Sequence, residues 1–162
     1  MNMDTAVEGI RVGAAKFGKG VYATKSFAVE EIVGQVQGQV VHDSDHASDY
    51  CIDLFPDCSL EPAAPFRYVN HSCSPNCQLV HYDIEDEGRI VGAEIWLETT
   101  RTIAVDEQLT IDYAWPASTA IPCGCGSEDC RGWIVCTEEL NRLPRVSTVG
   151  TAAAEDGDLN VV

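Results

Sequence analysis

Residues 67–77 read RYVNHSCSPNC, and this stretch limits the fold more than any other part of the chain. Asn, Ser and Pro at this density argue against a regular helix or a central strand. They specify a tightly turned segment whose side chains bond to nearby backbone. The same turn holds an Arg, an aromatic, two Asn, a His and two Cys. It is either a binding turn or a solvated loop with two incidental thiols, and the rest of the chain is placed relative to it.

A second cysteine-rich segment, CGCGSEDC at 123–130, has C-x-C-x4-C spacing in a Gly-rich loop. Three thiolates this close suit a tetrahedral zinc site, because the glycines let the backbone fold around an ion. A structural zinc takes four ligands, so one must come from elsewhere. Cys136 is the candidate by sequence distance, and Cys73 or Cys77 by turn character. The N-terminus MNMDTAVEG has neither a basic n-region nor an apolar h-region. That indicates an intracellular protein. There, eight cysteines are better explained by metal or free thiols than by disulfides.

A formal net charge of −16 argues against direct binding to a nucleic-acid backbone, since phosphate contacts need Lys and Arg. No apolar run reaches the length of a membrane span. Between Lys25 and Arg67 there is no basic residue, while Glu30, Glu31, Asp43, Asp45, Asp49, Asp53, Asp57 and Glu61 all fall there. Charge alone favours a solvated acidic face over an electrostatic funnel for a Lys- or Arg-rich partner.

The 162 residues suffice for one domain with one core. Residues 7–14 and 20–24 are short β-rich runs joined by KFGKG at 16–20. This Gly-x-Gly lacks the GxGxxG spacing and no helix pattern follows, so neither a dinucleotide fold nor a P-loop is supported. Residues 31–41 read as one strand. The turn-like HDSDH at 42–46 argues against a helix-borne metal pair at His42 and His46. Residues 49–55 read as a strand with Tyr50, Ile52 and Leu54 on one face. Residues 78–84 and 89–97 form a hairpin around a charged turn at 85–88. Two more strands are expected at 100–105 and 108–113, a short helix at 138–142, and a disordered tail from Val146. The pattern is a mostly β protein of many short strands.

NHSCSPN at 70–76, EQLTIDY at 107–113 and CGCGSEDCRGW at 123–133 resemble, in order and spacing, the SET-domain protein lysine methyltransferases with a post-SET zinc loop. Gly18 to Tyr22 stands where that family has its N-terminal G-x-G. The resemblance covers about residues 7–135. It implies a fold of several small curved sheets, in which the stretches around 70–76 and 109–113 cross in a C-terminal pseudoknot. It also implies a catalytic SET domain at 7–115, a zinc-binding post-SET segment at 116–136, and a short helix with a disordered tail at 137–162.

The implied activity is methyl transfer from S-adenosylmethionine to the lysine amine of a basic protein such as a histone tail. Lys16, Phe17, Gly18, Lys19, Gly20 and Tyr22 would lie near the donor, and Arg67, Asn70 and His71 would contact it or close its pocket. Tyr113 would be the catalytic tyrosine and Tyr50 a second channel tyrosine. Cys73 would join Cys123, Cys125 and Cys130 on a structural Zn²⁺, and Trp133 would help cover donor and lysine. Ile111 stands where many members carry Phe or Tyr, which implies room for di- or trimethylation. The acidic stretch 43–61 falls in the insert that forms one wall of the family's peptide groove, which raises the funnel reading to parity with the solvated face. Methyl transfer to an amine is an in-line displacement that demands alignment and a neutral nucleophile. A lysine in an apolar aromatic channel beside a sulfonium loses its proton more readily. The competing readings are a donor-binding or protein-interaction module without catalysis, and a structural zinc-binding β domain.

Overall fold

A computed structural model describes residues 6–146 except Pro56. In chain order the strands are β1 (Ile10–Ala15), β2 (Gly18–Ala23), β3 (Ile32–Gln35), β4 (Gly38–Val41), β5 (Ile52–Phe55), β6 (Cys58–Pro62), β7 (Asn70–His71), β8 (Cys77–Asp86), β9 (Arg89–Thr99), β10 (Gln108–Ile111), β11 (Ile121–Pro122) and β12 (Trp133–Ile134). They form small sheets of order β1-β2-β10-β7, β3-β9-β8 and β4-β6-β5, with β11-β12 as a two-stranded ribbon. The mostly β fold of several small sheets is therefore as the sequence indicates.

The cores of these sheets meet in one apolar cluster. Val21, Ala23, Phe27, Ile95, Leu97, Ile103 and Leu109 are each at most 2% exposed, and burying a side chain of the larger kind contributes roughly 1.5–3 kcal/mol. The crossing of the two motif segments appears as parallel pairing of β7 with β10, Thr110 opposite Asn70 and Ile111 opposite His71. Antiparallel pairing of β10 with β2 sets Leu109 opposite Val21. Asn76, 2% exposed, fastens the crossing. Its Oδ1 accepts from the Thr110 amide at 2.8 Å and its Nδ2 donates to the Gln108 carbonyl at 2.8 Å.

Several elements differ from the sequence reading. The strand expected over 31–41 divides into β3 and β4, which belong to different sheets. Gly38 makes the second sheet possible, since a Cβ there would sit 2.0 Å from the Glu61 carbonyl oxygen. Tyr50 lies in the turn before β5 rather than on its face. The strand expected at 100–105 is reduced to one bridge, Phe27 to Ile103. The segment Thr137–Arg142 is a 3₁₀ helix. The expected hairpin is present, and its turn residues Glu87 and Gly88 both take positive φ, 48° and 75°, which matches the twist of the flanking strands. The tail expected to be disordered lies outside the described residues beyond Val146.

Candidate active site

The turn between β1 and β2 shows what the Gly-x-Gly is for. Gly18 takes a φ of 76°, and nothing lies within 4 Å of where its Cβ would be. Gly20 lets Gln108 come close, because a Cβ there would meet Gln108 Oε1 at 2.6 Å and displace that side chain. That Gln108 oxygen accepts from Asn70 Nδ2 at 2.9 Å, and the same Nδ2 donates to the Lys19 carbonyl, also at 2.9 Å. Asn70 thus joins the first motif to the Gly-x-Gly backbone across β10.

The next residue along β7, His71, is 3% exposed at its side chain. Its Nδ1 accepts from the Tyr113 amide at 3.1 Å, which leaves the proton on Nε2, 3.4 Å from Cys73 Sγ. Burial holds this imidazole below its ordinary pKa despite the opposing Asp112 charge. Tyr113 packs on Trp115 with ring centroids 5.5 Å apart, and its hydroxyl donates to the Val69 carbonyl at 2.9 Å. Burial, reinforced by Tyr50 and Asp49, pushes the phenol up to about 12. Tyr113 faces a cleft of about 340 Å³ whose walls include Tyr50, Asp53, Arg67, Ile111 and Trp115. The Arg67 guanidinium lies 4.6 Å over the Tyr50 ring, so Arg67 stands on the cleft side of Tyr113.

Four cysteines converge beside this site. The sulfurs of Cys73, Cys123, Cys125 and Cys130 all lie within 4.8 Å of one another. Cys73 and Cys123 are 3.7 Å apart, close to the ~3.8 Å edge of a tetrahedral zinc site with Zn–S bonds of about 2.3 Å. Backbone amides of Arg131 and Gly132 point at Cys73 and Cys130, each at 3.4 Å, and the Ser127 hydroxyl lies 3.2 Å from Cys125. Such donors stabilise thiolates and orient them as ligands. Burial alone would raise the Cys125 thiol, but hydrogen bonds from the Cys73 backbone and Ser127 bring it down to about 6. The donor set fits Zn²⁺. Of the other candidates for fourth ligand, Cys77 is 1% exposed in the core, and neither it nor Cys136 belongs to the cluster.

Two clamps hold this loop. Arg131 makes a bidentate pair with Asp112, at 2.7 and 2.8 Å. Across the site, Lys16 Nζ donates to the Gly124 carbonyl at 3.1 Å, and the Phe17 ring lies against Gly124. Sequence reasoning did not single out Asp112, Arg131, Gln108 or Asn76. Their only signal was adjacency, since each lies within or next to a motif. Two expected site residues have their polar atoms bonded to backbone. The Tyr22 hydroxyl donates to the Ala14 carbonyl at 2.6 Å within the β1–β2 pair. Trp133 Nε1 donates to the Pro144 carbonyl at 2.9 Å, and the side chain shares a recess with Leu140, Leu143 and Val146 of the C-terminal segment.

The fold and site define a domain of small β sheets in which a polar turn joins a tyrosine cleft to a four-cysteine cluster. In fold it is similar to the crystal structure of KRYPTONITE in complex with mCHG DNA and SAH, with a TM-score of 0.67 and 21% identity over 77% of this chain and 28% of that one. A second KRYPTONITE structure, with mCHH DNA, an H3(1-15) peptide and SAH, gives a TM-score of 0.66 and 21% identity over 77% and 29%. The family model described as SET domain matches residues 18–114, and the chain belongs to the SET-domain family. Histone-lysine N-methyltransferase SETD1B of Homo sapiens is 30% identical over 129 residues, 70% of this chain and 6% of that protein. Histone-lysine N-methyltransferase trithorax of Drosophila virilis is 31% identical over 133 residues, 72% of this chain and 3% of that protein. The chain therefore spans a small part of the length of the curated relatives it matches.

Proposed function

We propose that this chain transfers methyl groups from S-adenosylmethionine to a lysine side chain in a basic protein segment of the histone-tail kind. The observation that carries the reading is the Tyr113 hydroxyl, fixed on the Val69 carbonyl at 2.9 Å in a cleft beside the β7–β10 crossing. Family membership, relatives named as histone-lysine methyltransferases and neighbours solved with SAH support it. The open space over Gly18, beside backbone held by Asn70, leaves room for a donor. When bound, the donor supplies an electrophilic methyl. Gly18, Lys19, Asn70 and His71 position it, with Lys16 and Phe17 holding the cysteine loop alongside.

On the cleft side, Tyr113, Tyr50 and Trp115 wall an aromatic space that strips water from the lysine amine and favours its neutral form. The Tyr113 hydroxyl orients that amine and does not take its proton, because its own pKa lies near 12. Cys73, Cys123, Cys125 and Cys130 would hold a structural Zn²⁺ that ties the 121–133 loop to the motif turn. Asp49 and Asp53 on the cleft wall favour a cationic peptide.

The test is incubation with labelled S-adenosylmethionine and histones or Lys-rich peptides. Wild type should incorporate label, and Tyr113→Phe should lose roughly 100-fold in kcat, the scale of a misaligned nucleophile. Donor binding without turnover in wild type would instead establish a binding module, and neither binding nor turnover a structural zinc domain. Ile111, on the cleft wall, offers neither bulk nor a hydroxyl to exclude further methyls. Mass spectrometry of the same reactions should therefore show di- or trimethyl product, and monomethyl product alone at long times would refute that role.

A further inference from the structure

A second recess adjoins the cleft. Asp53 lines both, and beyond it a concavity of about 340 Å³ is walled by Asp43, Asp57 and Ser59. None of the three carboxylates forms an ion pair among the described residues. The basic side chains nearby have other contacts: Arg67, which shares the cleft with Asp53, lies over Tyr50, and His46, which itself lines the recess, meets Glu61. His46 Nε2 is 2.7 Å from Glu61 and His42 Nδ1 is 2.9 Å from Cys58 Sγ.

Ser59 is the independent sign of a missing partner. In register it lies between Val41 on β4 and Asp53 on β5. Its neighbour Leu60 packs in the core, so strand alternation turns the Ser59 side chain to the other face, toward the recess. Ser59 is 5% exposed, and among the described residues its hydroxyl has no hydrogen-bond partner. A buried polar group left unpaired is costly and rare. Three carboxylates without an ion pair among the described residues, of which Asp43 accepts only the Asp45 amide at 2.9 Å, and an unpaired hydroxyl around one concavity are complementary to a planar, many-donor cation.

We propose that this recess binds the guanidinium of an arginine at a fixed offset from the methylated lysine. The inference rests on the methyltransferase reading and sharpens it, from a generally basic substrate to a Lys substrate carrying one specifically placed Arg.

The test uses a series of peptides with a single acceptor lysine. One Arg is placed in turn at each flanking position, and each peptide is paired with its citrulline counterpart, which keeps the shape and removes the charge. At one offset the Arg peptide should exceed the citrulline peptide by about tenfold or more in kcat/KM, carried in KM, as expected for a charged hydrogen bond. That ratio should collapse toward one in Asp53→Asn and in Asp57→Asn. Asn suits position 57, whose φ of 63° lies in the left-handed region. The ratio should persist in Asp83→Asn, an equal charge change on β8. The same preference at every offset, or a ratio preserved in both Asp53→Asn and Asp57→Asn, would overturn the subsite.

If wild type methylates none of the peptides, the methyltransferase reading fails on its own. Anisotropy of the same peptides, fluorescein-labelled, then decides the subsite. Arg preferred over citrulline at one offset, and lost in Asp57→Asn, would sustain it, and no discrimination would overturn it.

Discussion

Tyr113 sits where two opposite demands on a phenol meet. Burial and the nearby Tyr50 and Asp49 disfavour its anion and push its pKa up to about 12, while its hydroxyl keeps a backbone acceptor in Val69. The ordinary value is about 10, so the folded protein holds this proton more tightly than the unfolded chain. The linked stability is fully present below about pH 10 and is lost as pH rises from about 10 to about 12. Of five tyrosines, one should titrate near pH 12 by ultraviolet absorbance, and Tyr113→Phe should remove that late step. A late step that survives in the variant would reassign it. The candidacy of this residue was legible in EQLTIDY, but its protonation was not. That depends first on burial in the fold and then on Tyr50 and Asp49, which reach the cleft from the acidic stretch more than fifty residues earlier in the chain. Asp112 and Arg131 were equally silent. Nineteen residues apart, each reads alone as an ordinary surface charge, and only the fold makes them a pair.

The cysteine loop is the element on which the site's rigidity depends. It contains only two-residue strands, too little to order it by backbone pairing. Its fixed points are side-chain contacts: four sulfurs, the Arg131–Asp112 pair and the Lys16–Gly124 bond. The metal is therefore expected to dominate its order. Protein purified without chelator should carry about one zinc per chain. Its removal should free residues 121–133, raising their amide hydrogen exchange and abolishing methyl transfer while the core sheets stay protected. Full activity in a metal-free, folded protein would break the link between zinc and catalysis. The C-x-C-x4-C spacing made three of the four clustered cysteines readable as candidate ligands, and turn character left Cys73 and Cys77 open. Register closes that choice, because Cys77 begins β8 with its side chain in the core. By contrast, the break between β3 and β4 was hidden in a uniformly β-rich run. Its cause is the close passage of Gly38 against Glu61, a tertiary contact that strand propensity does not encode.

At the scale of the whole molecule, the net charge of −16 is unevenly useful. Acidic groups on the β8–β9 hairpin, such as Asp83, Glu85 and Asp86, are exposed at its far end, where they keep a ten-residue edge strand from pairing with other chains. Those at Asp49 and Asp53 line the cleft, and Asp57 lines the recess beside it. The two groups answer differently to salt. Steering by the whole surface fades as the Debye length falls from about 30 Å at 0.01 M to about 8 Å at 0.15 M. Contacts inside the cleft are screened less. For a Lys-rich peptide, joint replacement of Asp49, Asp53 and Asp57 by Lys should raise KM steeply at low salt and still measurably at 0.15 M. Replacing Asp83, Glu85 and Asp86 by Lys removes the same total charge, yet its effect should disappear over that range. Equal salt curves for the two variants would mean that the acidic insert acts only as solvated surface. An unchanged KM in the cleft variant at low salt would end the idea that its carboxylates meet the substrate at all.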